Sequence, residues 1–185
     1  MIRFDKPMIG FCAYSGTGKT TLLARLLPMI KAEGLRVAVV KHAHHQFEID
    51  KPGKDSHTFR EAGADQILVA SRGRMAWIRE LPEELEEPSL QQAVDAICPD
   101  AIDLLLVEGF KHEAYPKIEL HRCALGKPLI HPDDPHVVAF ACDQNADPMP
   151  EHIPVLDIND PQGILDFVLR EVLGRKAGTV QAIAS

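Results

Sequence analysis

Ala13-Tyr14-Ser15-Gly16-Thr17-Gly18-Lys19-Thr20 is the stretch that decides the fold of this chain. The apolar run Met8-Ile9-Gly10-Phe11-Cys12 precedes it and predicts a short buried strand. Leu22, Leu23, Leu26, Leu27 and Ile30 follow at three- and four-residue spacing, one face of a helix. Strand, glycine-rich loop, Gly-Lys-Thr and helix form the context of a phosphate-binding loop. Small residues let successive backbone N–H groups turn inward around phosphate oxygens. The helix N-terminus adds unpaired N–H groups and the positive end of its dipole. The expected phosphate-binding residues are Ser15, Gly16, Thr17, Gly18, Lys19, Thr20 and Thr21. Lys19 reaches toward β- and γ-phosphates, and the Thr20 hydroxyl suits Mg²⁺.

The pattern G-x-x-x-x-G-K-[ST] places glycine where this chain has Ala13. Alanine disfavours a positive φ, so the loop is expected to leave its strand at a more ordinary angle.

Moving outward, Pro28 falls within the first helix, expected from about Gly18 to Glu33, and should kink it or loosen its last turn. Leu35 to Val40 is nearly all apolar, which predicts a strand in the middle of a parallel sheet, reached by a right-handed crossover. The segment Lys41 to Lys54 then follows a strand's carboxyl end, where ligand sites of open α/β sheets collect. It mixes His42, His44, His45, Glu48 and Asp50 with Lys41, Lys51 and Lys54. Asp50 is a candidate direct or indirect Mg²⁺ ligand; no spacing of a closed transition-metal site is present.

Asp103-Leu104-Leu105-Leu106-Val107-Glu108-Gly109-Phe110 supplies the other half of a nucleotide site. An acid ending a buried strand beside a phosphate loop holds Mg²⁺ directly or through water. Here it is Glu108, whose longer side chain favours direct ligation or activation of a water. Lys19 and Glu108 are therefore the catalytic candidates, and Thr20, Glu108 and Asp50 the metal candidates.

Elsewhere, a short helix runs to Ala62, and Gln66–Ala70 and Met75–Ile78 flank an Arg72-Gly73-Arg74 turn. Glu80 to Glu87 reads as a solvated acidic linker. Ser89 caps a further helix. Lys117 to His121 alternates, which predicts a half-exposed edge strand and an antiparallel part of the sheet. Lys111 and His112 are candidates for gripping a substrate phosphate. Asp143, after the apolar strand Val137–Cys142, is a candidate acceptor for guanine N–H groups, although no Asn-Lys-x-Asp run is present. Asp160-Pro161 opens the last helix, which Gly174 stops.

The order of elements predicts an α/β fold, a mostly parallel twisted sheet of about seven or eight strands with helices on both faces. Its 185 residues suit one domain, expected over 1–174, with 175–185 a flexible tail. A net charge of −7 argues against a nucleic-acid groove. No apolar run approaches the roughly 20 residues of a membrane span. With no signal-peptide pattern at the start, a cytoplasmic location is expected. None of Cys12, Cys98, Cys123 and Cys142 forms a C-x-x-C pair; Cys12, Cys98 and Cys142 read as core residues with reduced thiols.

Three segments together resemble one family. They are Ser-Gly-Thr-Gly-Lys-Thr-Thr-Leu-Leu, Val-Lys-His-x-His-His-x-Phe-x-Ile-Asp-x-Pro-Gly-Lys-Asp-Ser, and Leu-Val-Glu-Gly-Phe-Lys. The family is molybdopterin-guanine dinucleotide biosynthesis protein B, MobB. The likeness spans about residues 8 to 145, and Lys41–Ser56 carries most of the discrimination. It implies a P-loop NTPase three-layer fold with some antiparallel edge strands. It implies a GTP-binding, Mg²⁺-dependent accessory protein, often dimeric, with weak GTPase activity. Such a protein assists the guanylyltransferase MobA, which joins a GMP moiety to molybdopterin; molybdopterin itself is a further possible ligand. By motif match, residues 15–21 bind phosphate, Thr20 and Glu108 serve Mg²⁺, and Asp50 lies in a nucleotide-facing loop. The family commonly has a small residue at the Ala13 position.

Two alternatives share the same loop. A small-molecule kinase needs a base, for which Glu108 or Asp50 would serve, and an arginine-bearing lid that the sequence does not display. A metal-insertion GTPase accessory is suggested by His42, His44 and His45. No arginine is clearly placed as an intrinsic finger, so slow turnover is expected.

Overall fold

The structure is a computed structural model that describes residues 2–43, 47–82, 87–143 and 149–174. It divides into two compact units, residues 1–42 with 89–185 and residues 43–88.

In the first unit, strand β1 (Met8–Cys12) leads through the glycine-rich loop into helix α1 (Lys19–Ala32), and β2 (Val37–Lys41) follows. The helix runs on past Pro28, with Gly34 in the left-handed region just beyond its end. After the second unit come α3 (Leu90–Asp95), β5 (Leu104–Glu108), β6 (Lys117–His121), β7 (Val137–Cys142), β8 (Val155–Asp157) and α4 (Pro161–Phe167). The second unit holds α2 (Asp55–Glu61), β3 (Gln66–Ala70) and β4 (Met75–Arg79).

The six strands of the first unit are ordered β2-β5-β1-β6-β7-β8, and every neighbouring pair is parallel. The period-two alternation of each strand sends its side chains to two faces. Ile9, Phe11, Leu104, Leu106, Ile118 and Leu120 face α1 and α4 in one core. Leu105 and Val107 face α3 through Leu90 and Val94 in another. Helix α3 starts at a full capping box, Ser89 with Gln92, as a serine before an apolar run predicts. Asp160 accepts from the Gln162 N–H ahead of α4, with Pro161 in the first turn.

Three expectations about the strands are corrected. The sheet has six strands rather than seven or eight, because β3 and β4 form a separate antiparallel pair. Strand β2 lies at an edge, with Val39 41% exposed, so its apolar composition does not report a central position. Strand β6 is neither antiparallel nor half-exposed: it lies between β1 and β7, parallel to both, and all five of its residues are buried. Its alternation is real, with Ile118 and Leu120 on the apolar face. The other face carries Lys117, Glu119 and His121, and protein rather than water covers it.

Gly10 marks a close approach on that second face. A Cβ there would overlap the Tyr115 ring, so the strand leading into the phosphate loop needs glycine at this position. Cys98 is exposed rather than a core residue; Cys12 and Cys142 are buried.

In the second unit, α2 precedes the hairpin β3–β4, where Leu68 lies opposite Trp77 and Val69 opposite Ala76. The Trp77 indole donates to Gln66 across the pair at 3.1 Å. The hairpin and its turn over residues 72–74 match the sequence expectation. His44 and His45, residues 83–86 of the acidic linker, Gln144, Asn145 and the expected tail over 175–185 lie outside the described residues. Among the described residues no helix is long and apolar enough to cross a membrane.

Candidate functional site

The site forms where the carboxyl ends of β1 and β5 meet, since parallel pairing aligns their exits: Phe11 lies beside Glu108. The loop after β1 turns twice through the left-handed region, at Gly16 (φ 86°) and Gly18 (φ 95°). Glycine is required there because a Cβ disfavours that backbone. Thr17 is 3% exposed, and its hydroxyl donates to the Tyr14 carbonyl at 2.8 Å, closing the loop on itself. Gly18 caps α1 without a side-chain bond, which leaves the helix N–H groups without a competing cap.

Glu108 gathers the expected site residues of this unit. The Thr20 hydroxyl donates to its Oε1 at 3.3 Å, and the Lys19 ammonium stands 3.9 Å from the same oxygen. The Lys41 ammonium stands 3.9 Å from Oε2. Only 9% of Glu108 is exposed. A carboxylate buried to that degree needs compensating charge, which the two lysines supply. Both ammoniums stand beyond hydrogen-bonding distance, so neither is locked to the carboxylate. A hydroxyl and a carboxylate oxygen side by side are hard donors that suit Mg²⁺.

The backbone after Glu108 is unusual. Gly109 (φ 93°) and Phe110 (φ 50°) are both left-handed, the latter rare for a bulky residue. A Cβ on Gly109 would stand 2.6 Å from His42 Cβ, and the His42 ring stacks on Phe110 at 4.4 Å. Tyr115 donates its hydroxyl to the Gly109 carbonyl at 2.6 Å, and the His42 N–H bonds the Glu108 carbonyl at 2.8 Å. The turn that presents Glu108 is thus fixed from both sides.

Arg122 leaves β6 on the opposite flank of the loop. Its Nε donates to the Thr17 carbonyl at 3.3 Å and one terminal nitrogen to Asn159 at 3.0 Å. Asp143 accepts from the Cys123 N–H at 3.0 Å, and that bond holds its carboxyl below the usual carboxylate range. Its Oδ1 is therefore committed to the protein's own backbone. Cys12, directly behind the loop, is no nucleophile: burial pushes its thiol up to about 12, with Glu119 adding to the effect.

Asp50 belongs to the second unit. Its Oδ1 is 3.4 Å from Arg60, its Oδ2 is buried and accepts no hydrogen bond among the described residues, and its side chain is 6% exposed. Among the described residues no cluster of three or more His, Cys, Asp or Glu converges on a metal-sized space.

This chain matches the family described as molybdopterin guanine dinucleotide synthesis protein B, MobB, over residues 8–143. It belongs to that family. It is 47% identical over 164 residues to the molybdopterin-guanine dinucleotide biosynthesis adapter protein of Escherichia coli (strain K12), covering 88% of this chain and 91% of that one. It is 43% identical over 162 residues to the protein of the same name from Haemophilus influenzae, covering 88% and 87%. A crystal structure of molybdopterin-guanine biosynthesis protein B superposes with a TM-score of 0.69 at 27% identity, over 90% of this chain and 99% of that one.

The family's loop and strand-end acid, read from the sequence, meet in space in this chain. Lys41, Arg122 and the Gly109-Phe110 turn were not singled out as site features. A lysine ending an apolar strand was a usable signal for the first. Gly109 after the strand-end acid, inside the quoted Leu-Val-Glu-Gly-Phe-Lys segment, was one for the turn. Arg122 carried no local signal, since pairing across the sheet brings it to the loop.

Proposed function

We propose that this protein binds GTP with Mg²⁺ and serves as an adapter in molybdopterin guanine dinucleotide synthesis. The observation that carries the reading is the convergence of Lys19 and Thr20 on the buried Glu108 beside a doubly left-handed glycine loop. The loop amides and residues 15–21 would hold the phosphates, with Lys19 on the β- and γ-phosphates. Thr20 and Glu108 would hold Mg²⁺, which when bound neutralises charge on the phosphoryl oxygens. Asp50 stays a proposed further oxygen donor on its motif match alone.

Hydrolysis by the protein alone is slow in this reading, because Arg122 is tied to Thr17 and Asn159. An arginine supplied in trans raises turnover in such sites by roughly 10³–10⁵. The partner is the guanylyltransferase MobA, and the chain works as a homodimer in the cytoplasm. Titration with GTP and ATP, with and without Mg²⁺, tests the reading while phosphate release is followed in the same samples. Mg²⁺-dependent preference for GTP with slow release, abolished in Lys19→Ala, is the expected result. Preference for ATP, or transfer of phosphate to a metabolite, overturns it.

A further inference from the structure

Lys41 closes β2, and the parallel ladder sets it beside Glu108 at the end of β5. The N–H of the next residue, His42, bonds the Glu108 carbonyl at 2.8 Å, so the backbone is held through Lys41 and one residue beyond it. The two oxygens of the Glu108 carboxylate face different ammoniums. Lys19 stands 3.9 Å from Oε1 and Lys41 stands 3.9 Å from Oε2. Lys19 comes from the loop after β1. Lys41 comes from β2, which lies beyond β5 in the order β2-β5-β1. One lysine therefore belongs to the phosphate loop, and the other stands across the carboxylate from it.

The same chain shows the form a lysine takes when it serves only to neutralise a buried carboxylate. The Lys117 ammonium lies 2.8 Å from Asp134, and its side chain has no exposure. Lys41 differs in both respects: its ion pair is 3.9 Å long, and its side chain is 59% exposed. Glu108 also has an opposite charge from Lys19 without it. A flexible, strongly hydrated ammonium held this loosely is free to turn to a stronger anion. Arg122, on the other flank of the loop, has no such freedom, since Thr17 and Asn159 hold it.

We propose that Lys41 is a specificity-determining residue, which distinguishes a nucleoside triphosphate from a diphosphate by binding the terminal phosphate. The loop amides and Lys19 hold the phosphates that lie against the loop. Lys41 is reached only by a phosphate that extends across the end of β5, past Glu108, and a diphosphate ends short of it. With a triphosphate bound, the Lys41 ammonium leaves Glu108 Oε2 for an oxygen of the terminal phosphate. A charge-assisted hydrogen bond then replaces a long ion pair. The exchange also releases Oε2 for the part proposed for Glu108 toward Mg²⁺. The inference rests on the nucleotide reading of the loop and adds which nucleotide state the site prefers and which residue sets that preference.

Calorimetric titration of the full chain with GDP and with a non-hydrolysable GTP analogue, both in Mg²⁺, tests the proposal through binding rather than turnover. The unsubstituted chain is expected to hold the analogue at least about tenfold tighter than GDP, the worth of one charge-assisted bond. Lys41→Met should remove most of that ratio, weakening the analogue about tenfold while GDP changes less than about twofold. Lys41→Arg keeps the charge and should retain most of the ratio. The side chain is exposed on an edge strand, and thermal melts check that both variants fold. Three results overturn the inference: a ratio near one in the unsubstituted chain, a ratio that Lys41→Met leaves unchanged or widens, or an arginine variant as weak for the analogue as the methionine variant. An unchanged ratio is what a lysine serving only Glu108 would give. Failure of the underlying reading looks different. A chain that binds neither nucleotide ends the reading of the loop, whereas binding of both with an unmoved ratio ends this proposal alone.

Discussion

Glu108 is the residue on which the nucleotide site turns. It bridges Lys19, Lys41 and Thr20 across gaps of 3.3 to 3.9 Å, so its charge holds the site together before any ligand arrives. Replacing it with glutamine keeps the shape and removes the charge. Glu108→Gln is expected to weaken the Mg²⁺-dependent part of GTP affinity by about tenfold to a hundredfold, the equivalent of losing a charge-assisted bond. Affinity without Mg²⁺ should change far less; titrations at matched Mg²⁺ concentrations check this. At Asp103 the physics concerns stability instead. The Arg36 guanidinium and N–H both donate to it, holding its carboxyl below the usual carboxylate range. Asp134 is lowered too, although burial works the other way, because Lys117 and the His136 N–H outweigh it. Both groups have folded values below the unfolded one of about 3.9. Their contribution is therefore complete above that value and disappears as pH falls through the depressed folded values. Urea melts between neutral and strongly acid pH should show the loss, with a flatter acid limb in Asp103→Asn.

Strand β6 is the element that distinguishes this chain from a plain parallel sheet. Lys117 makes an ion pair and two carbonyl bonds with no exposure to water. Lys117→Met strands the Asp134 carboxylate and two carbonyls, and the expected cost is about 3–5 kcal/mol. A fall in melting temperature on the order of 10 °C follows for a chain of this size. The double substitution Lys117→Met with Asp134→Leu removes both charges and should recover a large part of that loss. Thermal melts of the single and double variants measure the coupling; simple additivity would show that the pair is not a unit. The same strand also shows why its position was misread. Alternation of apolar and charged residues has the same spacing whether the polar face meets water or a polar loop. The sequence carries the period, while the way the segments on either side of the strand fold back over it decides what covers it.

At the scale of the whole molecule, the second unit is the part least able to stand alone. A two-stranded hairpin is marginal in water by itself. Here the opposed Leu68 and Trp77 are 58% and 45% exposed. Dimer formation is proposed to draw on this hairpin; the interior place of β6 rules that strand out as an exposed pairing edge. Sedimentation of the full chain should give a dimer. Leu68→Asp combined with Trp77→Asp should raise the dissociation constant at least tenfold while GTP binding at high protein concentration persists. A double variant that stays dimeric would place the interface elsewhere.

Residues near one another in the chain determined the parts of this protein that local chemistry alone can set. Two glycines with positive φ, a lysine and a threonine make the phosphate loop wherever it sits. Ser89 with Gln92 and Asp160 with Pro161 start their helices from contacts within one turn. The acid ending an apolar run was legible for the same reason. Strand order was not, because apolar composition reports burial and not which neighbour supplies it: β2 ended at an edge and β6 in the interior. The tertiary structure alone placed Lys41 on Glu108 and Arg122 on Thr17. Both contacts join groups far apart in the chain, and only the register of the parallel sheet brings them within reach.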